Sequence, residues 1–340
     1  MNNKHGSQNK ADNSAPLVSI SCITFNHEHF IAQAIDSFLM QKTTFPIEIL
    51  LHDDASTDNT ANIIREYEAK YPEIIKPIYE TENQWKKGKK GSAVFNFPRA
   101  HGKYIAICEG DDYWIDSQKL SKQVMFMMQH PNLSMSFHAA RYDYLDGSGR
   151  SKIHRHKGRQ FLKAKEVIMG DGRFFPTCSS MVRRDVFEDF PAFFYHSPVG
   201  DIPMALNALA KGDVGYIDEI MAVRKVRVPG SWTKKRTESN FDQKIDLLIK
   251  LASMRNAFNK HTGFKFKRFL KKKDSFDFRH RLITTIGNRR NRKKNYELLK
   301  KRMLLTDRFV AYIGYLINFA LLRRKLRMGL KLLRSLRKAL

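Results

Sequence analysis

The sequence predicts an α/β fold, a mostly parallel sheet flanked by helices, followed by a helical and basic C-terminal extension. Up to Val226, short apolar runs rich in β-branched residues alternate with segments whose apolar residues recur at helical spacing. Such alternation is the pattern of βαβ units, in which helices cover both faces of a parallel sheet. From about Asn240 onward only helical spacing remains, which predicts the extension.

The elements follow in order from these patterns. Leu17–Thr24 and Ile47–Leu51 predict two buried strands, and His29–Met40 between them predicts a helix. A second helix follows Asp58, a candidate N-cap. Further predicted elements are strands Ile74–Tyr79 and Tyr104–Cys108, helix Gln118–Gln129, strand Leu133–Tyr142, strand Thr177–Val182, helix Ile202–Ala210 and an extended segment or strand pair Gly215–Val226. We therefore expect a flexible leader over 1–15, an α/β domain over 16–235 with halves 16–115 and 116–235, and a helical basic region over 236–340.

Composition and charge limit the possible classes of protein. Of the 340 residues, 42% are hydrophobic and 28% charged, which excludes a wholly disordered chain. The net charge is +27, and the segment from Phe264 to Leu340 alone holds 25 Lys/Arg against four Asp/Glu. Three scattered cysteines without a CxxC pair, and a polar N-terminus, predict a reduced, cytosolic protein.

Polar side chains follow three of the predicted strands. Thr24 and Asn26 follow the first strand, Asp53 and Asp54 the second, and Glu109-Gly110-Asp111-Asp112 the strand that ends at Cys108. Ligands bind at this edge in open α/β sheets. Clustered carboxylates repel unless a positive group lies among them, and a hard divalent cation is the usual solution. Turn and helix-capping chemistry explains each acidic segment equally well on spacing alone.

Four segments of the chain resemble the sequence blocks of a known enzyme family. VSISCITFNHEHF, EILLHDDASTDNT and RAHGKYIAICEGDDYW resemble signature blocks of family 2 glycosyltransferases with the GT-A fold, and GDIPMALNALAKGDVGYIDEIMAVRK is similar to that family's second half. The blocks occur in the family's order over roughly residues 16–232. The resemblance implies an inverting transfer of a sugar, most often UDP-linked, from a nucleotide-sugar donor to a glycan or lipid-linked acceptor in cell-surface polysaccharide synthesis.

The resemblance also assigns residues in the donor half of the domain. Thr24, Asn26, Asp53 and Asp54 match positions that hold the nucleotide base and ribose. Asp111 and Asp112 match the DxD motif, which contacts the ribose and coordinates Mn²⁺ or Mg²⁺. Glu109 stands where many relatives have Asp, so its participation is an open question. Arg99 and the Lys86–Lys90 run are placed to meet phosphate, although such a run is more often solvated surface.

In the acceptor half, Asp201 matches the general base, and helix N-capping is the competing interpretation. The base must lie within about 3 Å of the acceptor hydroxyl to take its proton. Possible contacts to acceptor or diphosphate are Thr177, Ser179, Ser180, Arg224, Lys225 and Trp232.

The C-terminal region predicts membrane association. Phe309–Leu322 is apolar and would span about 21 Å as a helix, short of a bilayer core of about 30 Å. Leucines then recur on one helical stripe among eight Lys/Arg. We expect 307–340 to form an interfacial helix on anionic lipid at the inner face of the cell membrane. Packing back onto the domain and a homodimer contact are the alternatives.

Two other functions compete with this hypothesis. Charge alone suggests a non-enzymatic nucleic-acid- or membrane-binding protein, but the basic residues of the tail alternate with leucines and the body is acidic where it would meet phosphate. No nucleic-acid partner is therefore expected. A sugar nucleotidyltransferase would need a Gly-rich phosphate loop after the first strand, where this chain has Thr24-Phe25-Asn26-His27-Glu28.

Overall fold

The structure is a computed structural model that describes residues 15–89, 92–170, 174–188, 190–195, 197–228 and 240–286. Described residues up to Val228, apart from 197 and 198, form one compact unit, and residues 240–286 belong to a second. The predicted leader up to residue 14 and the predicted helix over 307–340 lie outside the described residues. Among the helices that are described, none combines the length and the apolar character needed to cross a membrane.

A sheet of ten strands, counted over the described residues, forms the centre of the first unit. Its order is β3-β2-β1-β4-β9-β6-β10-β5, with β7 beside β6 and β8 beside β10. The strands are β1 Val18–Thr24, β2 Ile47–Asp53, β3 Ile75–Tyr79, β4 Tyr104–Ile107, β5 Tyr113–Trp114, β6 Leu133–Tyr144, β7 Ser151–His154, β8 Phe161–Leu162, β9 Met181–Arg183 and β10 Asp213–Val226. The helices of this unit are α1 Ile31–Leu39, α2 Thr60–Lys70, α3 Lys119–Gln129, α4 Ala164–Gly170, α5 Ala192–Tyr195 and α6 Asp201–Lys211.

The N-terminal half of the sheet is parallel, as the sequence predicts. β1 lies between β2 and β4, and β3 continues the sheet beyond β2. α1 buries the apolar face that its spacing indicates, including Ile35 and Phe38. α2 begins one residue later than expected from Asp58, because Asn59 is its N-cap residue. The Asp58 carboxylate instead accepts a hydrogen bond from the Thr60 amide at 3.0 Å.

The second half of the sheet is mixed. β6 and β10 pair in parallel, whereas β9 runs antiparallel to both β4 and β6. The predicted strand over Thr177–Val182 is wrong in its first half, since Thr177–Ser179 is a 3-10 turn. The reason is local: the amide of Ser179 donates to the Pro176 carbonyl at 3.0 Å, and that of Ser180 to the Thr177 carbonyl at 3.1 Å.

β10 is a single long strand rather than a strand pair. Its register against β6 shifts between Ile217 and Ala222, which accounts for the break in its apolar pattern. Its far end pairs with the two-residue strand β5, so that Ala222 lies opposite Trp114. Trp114 is 1% exposed, packs against Phe38 and donates from Nε1 to the Cys178 carbonyl at 2.8 Å. This buried indole fixes the segment that carries the acidic motif.

The second unit contains α7 Phe241–His261 and α8 Lys267–Ile286. Asn240 caps α7 through a capping box with Gln243. Arg255 on α7 is 1% exposed and donates to Asp274 at 2.7 Å and to Asp277 at 3.2 Å, both on α8. Because a buried charge is costly unless it is paired, these contacts specify how the two helices align.

Candidate active site

Three adjacent strand ends bring the predicted acidic segments together. The Asp54 amide donates to the Thr24 carbonyl at 3.0 Å, which ties the loop after β2 to the end of β1. The Gly110 amide donates to the Ile23 carbonyl at 2.9 Å, which ties the loop after β4 to the same strand. Parallel strands end at one edge, so the register of β2, β1 and β4 places these loops side by side.

Glu109, Asp111 and Asp112 form an acidic triad. One carboxylate oxygen from each lies within 4.8 Å of the others, which is a spacing that can hold a metal ion. The residue whose role the resemblance left open, Glu109, therefore lies with the two aspartates. Three hard oxygen donors suit Mg²⁺ or Mn²⁺ better than a soft or nitrogen-preferring metal.

Asp112 gives the clearest indication that the triad suits a cation. It is 2% exposed, and its Oδ1 accepts a hydrogen bond from the Lys225 amide at 2.8 Å. Its Oδ2 is buried and accepts no hydrogen bond from any described N–H or O–H group. Burial, and then the charges of Asp111 and Glu109, raise the pKa of Asp112 well above its usual value. A divalent cation would satisfy the unpaired oxygen and offset that repulsion, so the residues present fit the ion.

Glu109 experiences the same crowding of charge. Burial, and then the charge of Asp111, raises the pKa of Glu109 to about 7. Asp201 contributes to the same rise, so its carboxylate lies close enough for the two charges to interact. The charge of Asp201, in the first turn of α6, therefore reaches the triad.

Two cations lie beside the triad on β10. Arg224 stacks over the Tyr142 ring at 5.5 Å from guanidinium carbon to centroid. Burial opposes its charge, but the neighbouring Tyr142 phenol and the charges of Asp112 and Glu109 raise the pKa of Arg224. Lys225 donates from Nζ to Gln33 Oε1 at 2.7 Å and lies 4.5 Å from the Phe30 ring. Both are positioned to complement an anionic ligand of the acidic site.

The loops after β1 and β2 are held together by side chains. Asn26, at φ 55°, accepts from the Thr57 amide at 2.8 Å and donates its own amide to Ser56 Oγ at 2.9 Å. Asp53 is 2% exposed and accepts from both the hydroxyl and the amide of Ser56. Burial raises the pKa of Asp53 in spite of the Ser56 hydrogen bonds. These contacts form a rigid rim beside the triad.

Asp54 organises a loop that the sequence alone did not identify. Its two oxygens accept from the amides of Gln84 at 2.6 Å and Trp85 at 3.2 Å. The Trp85 side chain is 46% exposed, which is unusual for tryptophan. The buried oxygen of Thr24, Oγ1, has no hydrogen-bond partner among the described residues.

Arg99 lies under β2 rather than in the open site. Its Nη2 donates to the Leu51 carbonyl at 2.8 Å and to Asn96 Oδ1 at 2.9 Å. Asn96 in turn is fully buried and donates to the carbonyls of Cys22 and Leu50. This arrangement favours a role in holding β1 and β2 in place over direct contact with phosphate.

Asp201 is the first residue of α6, and Gly200 is the N-cap residue. Asp201 Oδ1 accepts from the Ile202 amide at 2.8 Å, so the carboxylate also satisfies one amide of the first turn. A carboxylate in this position is stabilised by the helix dipole. Asp201 can therefore stabilise the start of α6 and also act as the base.

The predicted acceptor contacts divide into three cases. Ser179 and Ser180 are fully buried and donate their hydroxyls to the carbonyls of Pro176 and Thr177, both at 2.7 Å. They are therefore not available to a ligand in this structure. Thr177 is partly exposed, and Trp232 lies outside the described residues.

Gly110 is required by close packing inside the motif. A Cβ atom there would lie 2.8 Å from Thr24 Oγ1, 2.9 Å from Thr24 Cβ and 3.1 Å from His27 Nδ1. We expect Gly110→Ala to lower stability by about 1–3 kcal/mol, because the loop must shift to accommodate the methyl group. Thermal unfolding measures the change. Gly200→Ala is the control, since nothing lies within 4 Å of its added Cβ, and an equal loss in both variants would contradict this account.

Lys119 is a buried ammonium that the sequence pattern did not distinguish from surface charge. Its side chain is 0% exposed, lies 3.8 Å from the Trp114 ring centroid and has no hydrogen-bond partner among the described residues. Burial lowers the pKa of Lys119 to about 7. The folded protein therefore releases this proton at lower pH than the unfolded chain does.

That depressed pKa predicts how stability depends on pH. Between pH 7 and pH 10 the unfolded chain binds the Lys119 proton and the folded protein does not, so this residue makes stability rise with pH by up to about 1.4 kcal/mol per unit. We expect Lys119→Met to remove that slope. Lys122→Met should retain it, because the half-buried Lys122 ammonium is paired with Asp116 and Glu219. Chemical denaturation at a series of pH values measures both. Parallel stability profiles for wild type and Lys119→Met would contradict the assignment.

Solved structures share this fold. Staphylococcus aureus TarS, solved with UDP, aligns with a TM-score of 0.51 and 15% identity over 80% of this chain and 91% of that one. The mannosyltransferase PcManGT of Pyrobaculum calidifontis, solved with GDP-Man and Mn²⁺, aligns with a TM-score of 0.51 and 15% identity over 91% of this chain and 81% of that one. The expected GT-A fold is thereby confirmed.

Sequence comparison defines the family. Residues 19–190 match the model of Glycosyl transferase family 2, half of the chain, so the chain belongs to that family. An uncharacterized protein of Mycobacterium tuberculosis is 36% identical over 222 residues, and the match covers 65% of this chain and 62% of that protein. The Escherichia coli enzyme WfaP, a UDP-Glc:α-D-GlcNAc-diphosphoundecaprenol β-1,3-glucosyltransferase, is 37% identical over 111 residues, 33% of this chain and 41% of its own length.

Proposed function

We propose that this protein is an inverting hexosyl- or N-acetylhexosaminyltransferase of cell-surface polysaccharide synthesis. Its donor is a UDP-linked sugar and its acceptor a hydroxyl of a glycan or lipid-linked glycan. The observation that carries the proposal is the acidic triad at the edge of a GT-A sheet, in which a buried oxygen of Asp112 accepts from no described N–H or O–H group. UDP bound to TarS and the donor and carrier in the name of WfaP support this choice of substrates.

The donor nucleoside binds along the rim formed by the loops after β1 and β2. Thr24 supplies an unpartnered hydroxyl there, and Asn26 and Asp53 keep the rim rigid. Asp54 acts through the 84–85 loop that its carboxylate holds. Asp111, a member of the triad, contacts the ribose.

The diphosphate lies between the triad and the β10 cations. Glu109, Asp111 and Asp112 would hold Mn²⁺ or Mg²⁺, and Mn²⁺ accompanies the donor in PcManGT. A divalent cation held there would supply positive charge to offset the negative charge of the diphosphate. Arg224 and Lys225 add positive charge from the opposite side, where Lys225 also fixes Asp112 through its amide.

Asp201 is the general base. The acceptor oxygen bonds to the anomeric carbon while the bond from that carbon to the donor phosphate oxygen breaks. The acceptor proton passes to the Asp201 carboxylate, and the electron pair leaves with the nucleoside diphosphate. Proximity to the triad, indicated by the interaction of Asp201 with Glu109, supports this role.

The proposed roles of 307–340 concern residues that the structure does not describe. We keep membrane attachment through 307–340, a homodimer contact there and a peripheral location on the inner membrane face as predictions. The division into a catalytic domain over 16–235 and a helical region over 236–340 also stays a proposal.

Release of nucleoside diphosphate tests the proposed function. UDP-, GDP- and dTDP-sugars are each incubated with the full chain, with Mn²⁺ or with a chelator, and with cell-surface glycan acceptors. We expect release from a UDP-sugar that depends on the metal. Release that persists undiminished in chelator, or release only from a GDP- or dTDP-sugar, would contradict the cation or the donor in this proposal.

A further inference from the structure

Tyr142 lies in a stack of side chains that ends at the acidic triad. Its ring packs against the His154 ring with centroids 5.5 Å apart and an interplanar angle of 12°. Arg224 stacks on the Tyr142 ring, with its guanidinium carbon 5.5 Å from the centroid. His154 contacts His156 behind it, at 5.4 Å between centroids. The result is a continuous ladder from β7 through β6 to β10.

Strand register explains why these residues meet. Tyr142 on β6 lies directly opposite Arg224 on β10 in a parallel pair. On the other side, His154 on β7 lies opposite Ala140, two residues before Tyr142, in an antiparallel pair. Residues two apart on a strand share one face of the sheet, so the three side chains lie on one face as diagonal and direct neighbours.

Arg224 lies within the electrostatic reach of the triad but is not paired with it. The charges of Asp112 and Glu109 act on its guanidinium. The ion pairs formed by described residues nevertheless include none between Arg224 and Glu109, Asp111 or Asp112. The ring of Tyr142, together with its hydroxyl, which accepts a hydrogen bond from Arg224, therefore holds the guanidinium near the carboxylates without an ion pair to them.

We propose that Tyr142, supported from behind by His154, is a positioning residue that holds Arg224 in place to receive the diphosphate of the donor. This inference rests on the proposed function and goes further, because it assigns a role to residues on β6 and β7 that touch neither the metal nor the donor. A guanidinium is a planar donor whose orientation decides whether it can bind phosphate with two parallel hydrogen bonds. An aromatic ring beneath it restricts that orientation.

The same strand offers a matched control. Tyr144, two residues further along β6, also carries stacked guanidinium groups, Arg150 at 5.0 Å and Arg227 at 5.8 Å from its ring. Those two arginines both pair with Asp146 in the β6–β7 turn, away from the triad. Tyr144→Leu removes an equivalent stack without touching Arg224.

The test compares binding of UDP and of uridine by calorimetry in the presence of Mn²⁺. We expect Tyr142→Leu to weaken UDP binding about tenfold, as loss of one oriented charge-assisted contact would, and to leave uridine binding unchanged. Tyr144→Leu should bind UDP as the wild type does. Tyr142→Phe keeps the ring but loses the hydroxyl that accepts a hydrogen bond from Arg224, so its UDP affinity should lie between those of the wild type and Tyr142→Leu. If Tyr142→Leu does not fold, as judged by circular dichroism, His154→Ala removes the rear of the stack and should weaken UDP binding selectively.

The outcomes separate this proposal from the proposed function. Wild-type protein that fails to bind UDP with Mn²⁺ would overturn the proposed function itself. Wild-type binding with an unchanged Tyr142→Leu, or an equal loss for uridine and UDP, would overturn only the positioning role. If Tyr142→Leu and Tyr144→Leu lose the same amount of UDP affinity, the effect is a general one of changing β6, and the positioning role of Tyr142 is contradicted.

Discussion

Asp201→Asn is expected to lower kcat by about 10²–10⁴-fold while binding of UDP with Mn²⁺ stays within about twofold of wild type. Asparagine keeps the size and the hydrogen bond to the Ile202 amide through its side-chain oxygen, but it cannot accept the acceptor's proton. The measurement pairs steady-state release of UDP in the presence of acceptor with calorimetric binding of UDP. The two readouts separate the base from the binding site.

Asp116→Asn is the matched control for Asp201→Asn. Asp116 lies just before α3 and accepts from the Gln118 amide at 2.8 Å, so it also satisfies an amide at a helix start. It pairs with Lys122 and has no place in the proposed chemistry. We expect Asp116→Asn to lower stability and leave kcat unchanged. An equal fall of kcat in both variants would show that Asp201 acts only at the helix terminus, and would contradict its role as the general base.

Asp112→Asn is expected to weaken Mn²⁺-dependent binding of UDP by at least about 100-fold, because a neutral amide replaces a charged ligand of the cation. In the absence of metal, by contrast, Asp112→Asn should be more stable than the wild type at neutral pH. The raised pKa of Asp112 means that the metal-free folded protein loses stability as pH rises above about 4, where the unfolded chain releases this proton. Asparagine removes that loss, so Asp112→Asn should unfold at higher temperature at neutral pH without metal.

Glu48→Gln is the corresponding control. Glu48 is a buried carboxylate on β2 that accepts from the Ser19 hydroxyl at 2.6 Å and from the His101 amide at 2.8 Å. It has hydrogen-bond donors where Asp112 Oδ2 accepts from no described N–H or O–H group. We expect Glu48→Gln to destabilise the protein and to leave Mn²⁺-dependent binding intact. If the unfolding temperature of Asp112→Asn falls as far as that of Glu48→Gln, the proposal that the Asp112 carboxylate is unsatisfied is contradicted.

The signals that predicted the fold are local in sequence. Hydrophobic period and β-branched runs identify β1, α1 and β2, and the acidic motif follows directly from the strand that precedes it. The sequence predicts a strand over Thr177–Ser179, whereas two backbone hydrogen bonds close a 3-10 turn there. β5, with two residues, is too short for any periodicity to reveal, and it forms only because β10 offers a partner.

The features that escaped the sequence depend on distant contacts. From the sequence, Lys119 is an ordinary charged residue in the first turn of α3. Only the fold shows that its ammonium lies against the Trp114 ring. Tyr142 has no distinguishing neighbour along the chain, and only the register of β6 with β10 brings it to Arg224. The sequence predicts that Arg99 contacts phosphate, whereas in the structure its guanidinium donates a hydrogen bond to the carbonyl of Leu51. Each of these environments is set by strand pairing rather than by motif.

Calorimetric binding of UDP to the full chain, with Mn²⁺ and then with chelator, is the most direct test of the central claim that the acidic triad forms a metal-dependent donor site. The account predicts binding that requires Mn²⁺, is lost in Asp112→Asn and is retained in Asp201→Asn. UDP binding that is equally strong in chelator, or that survives in Asp112→Asn, would contradict it.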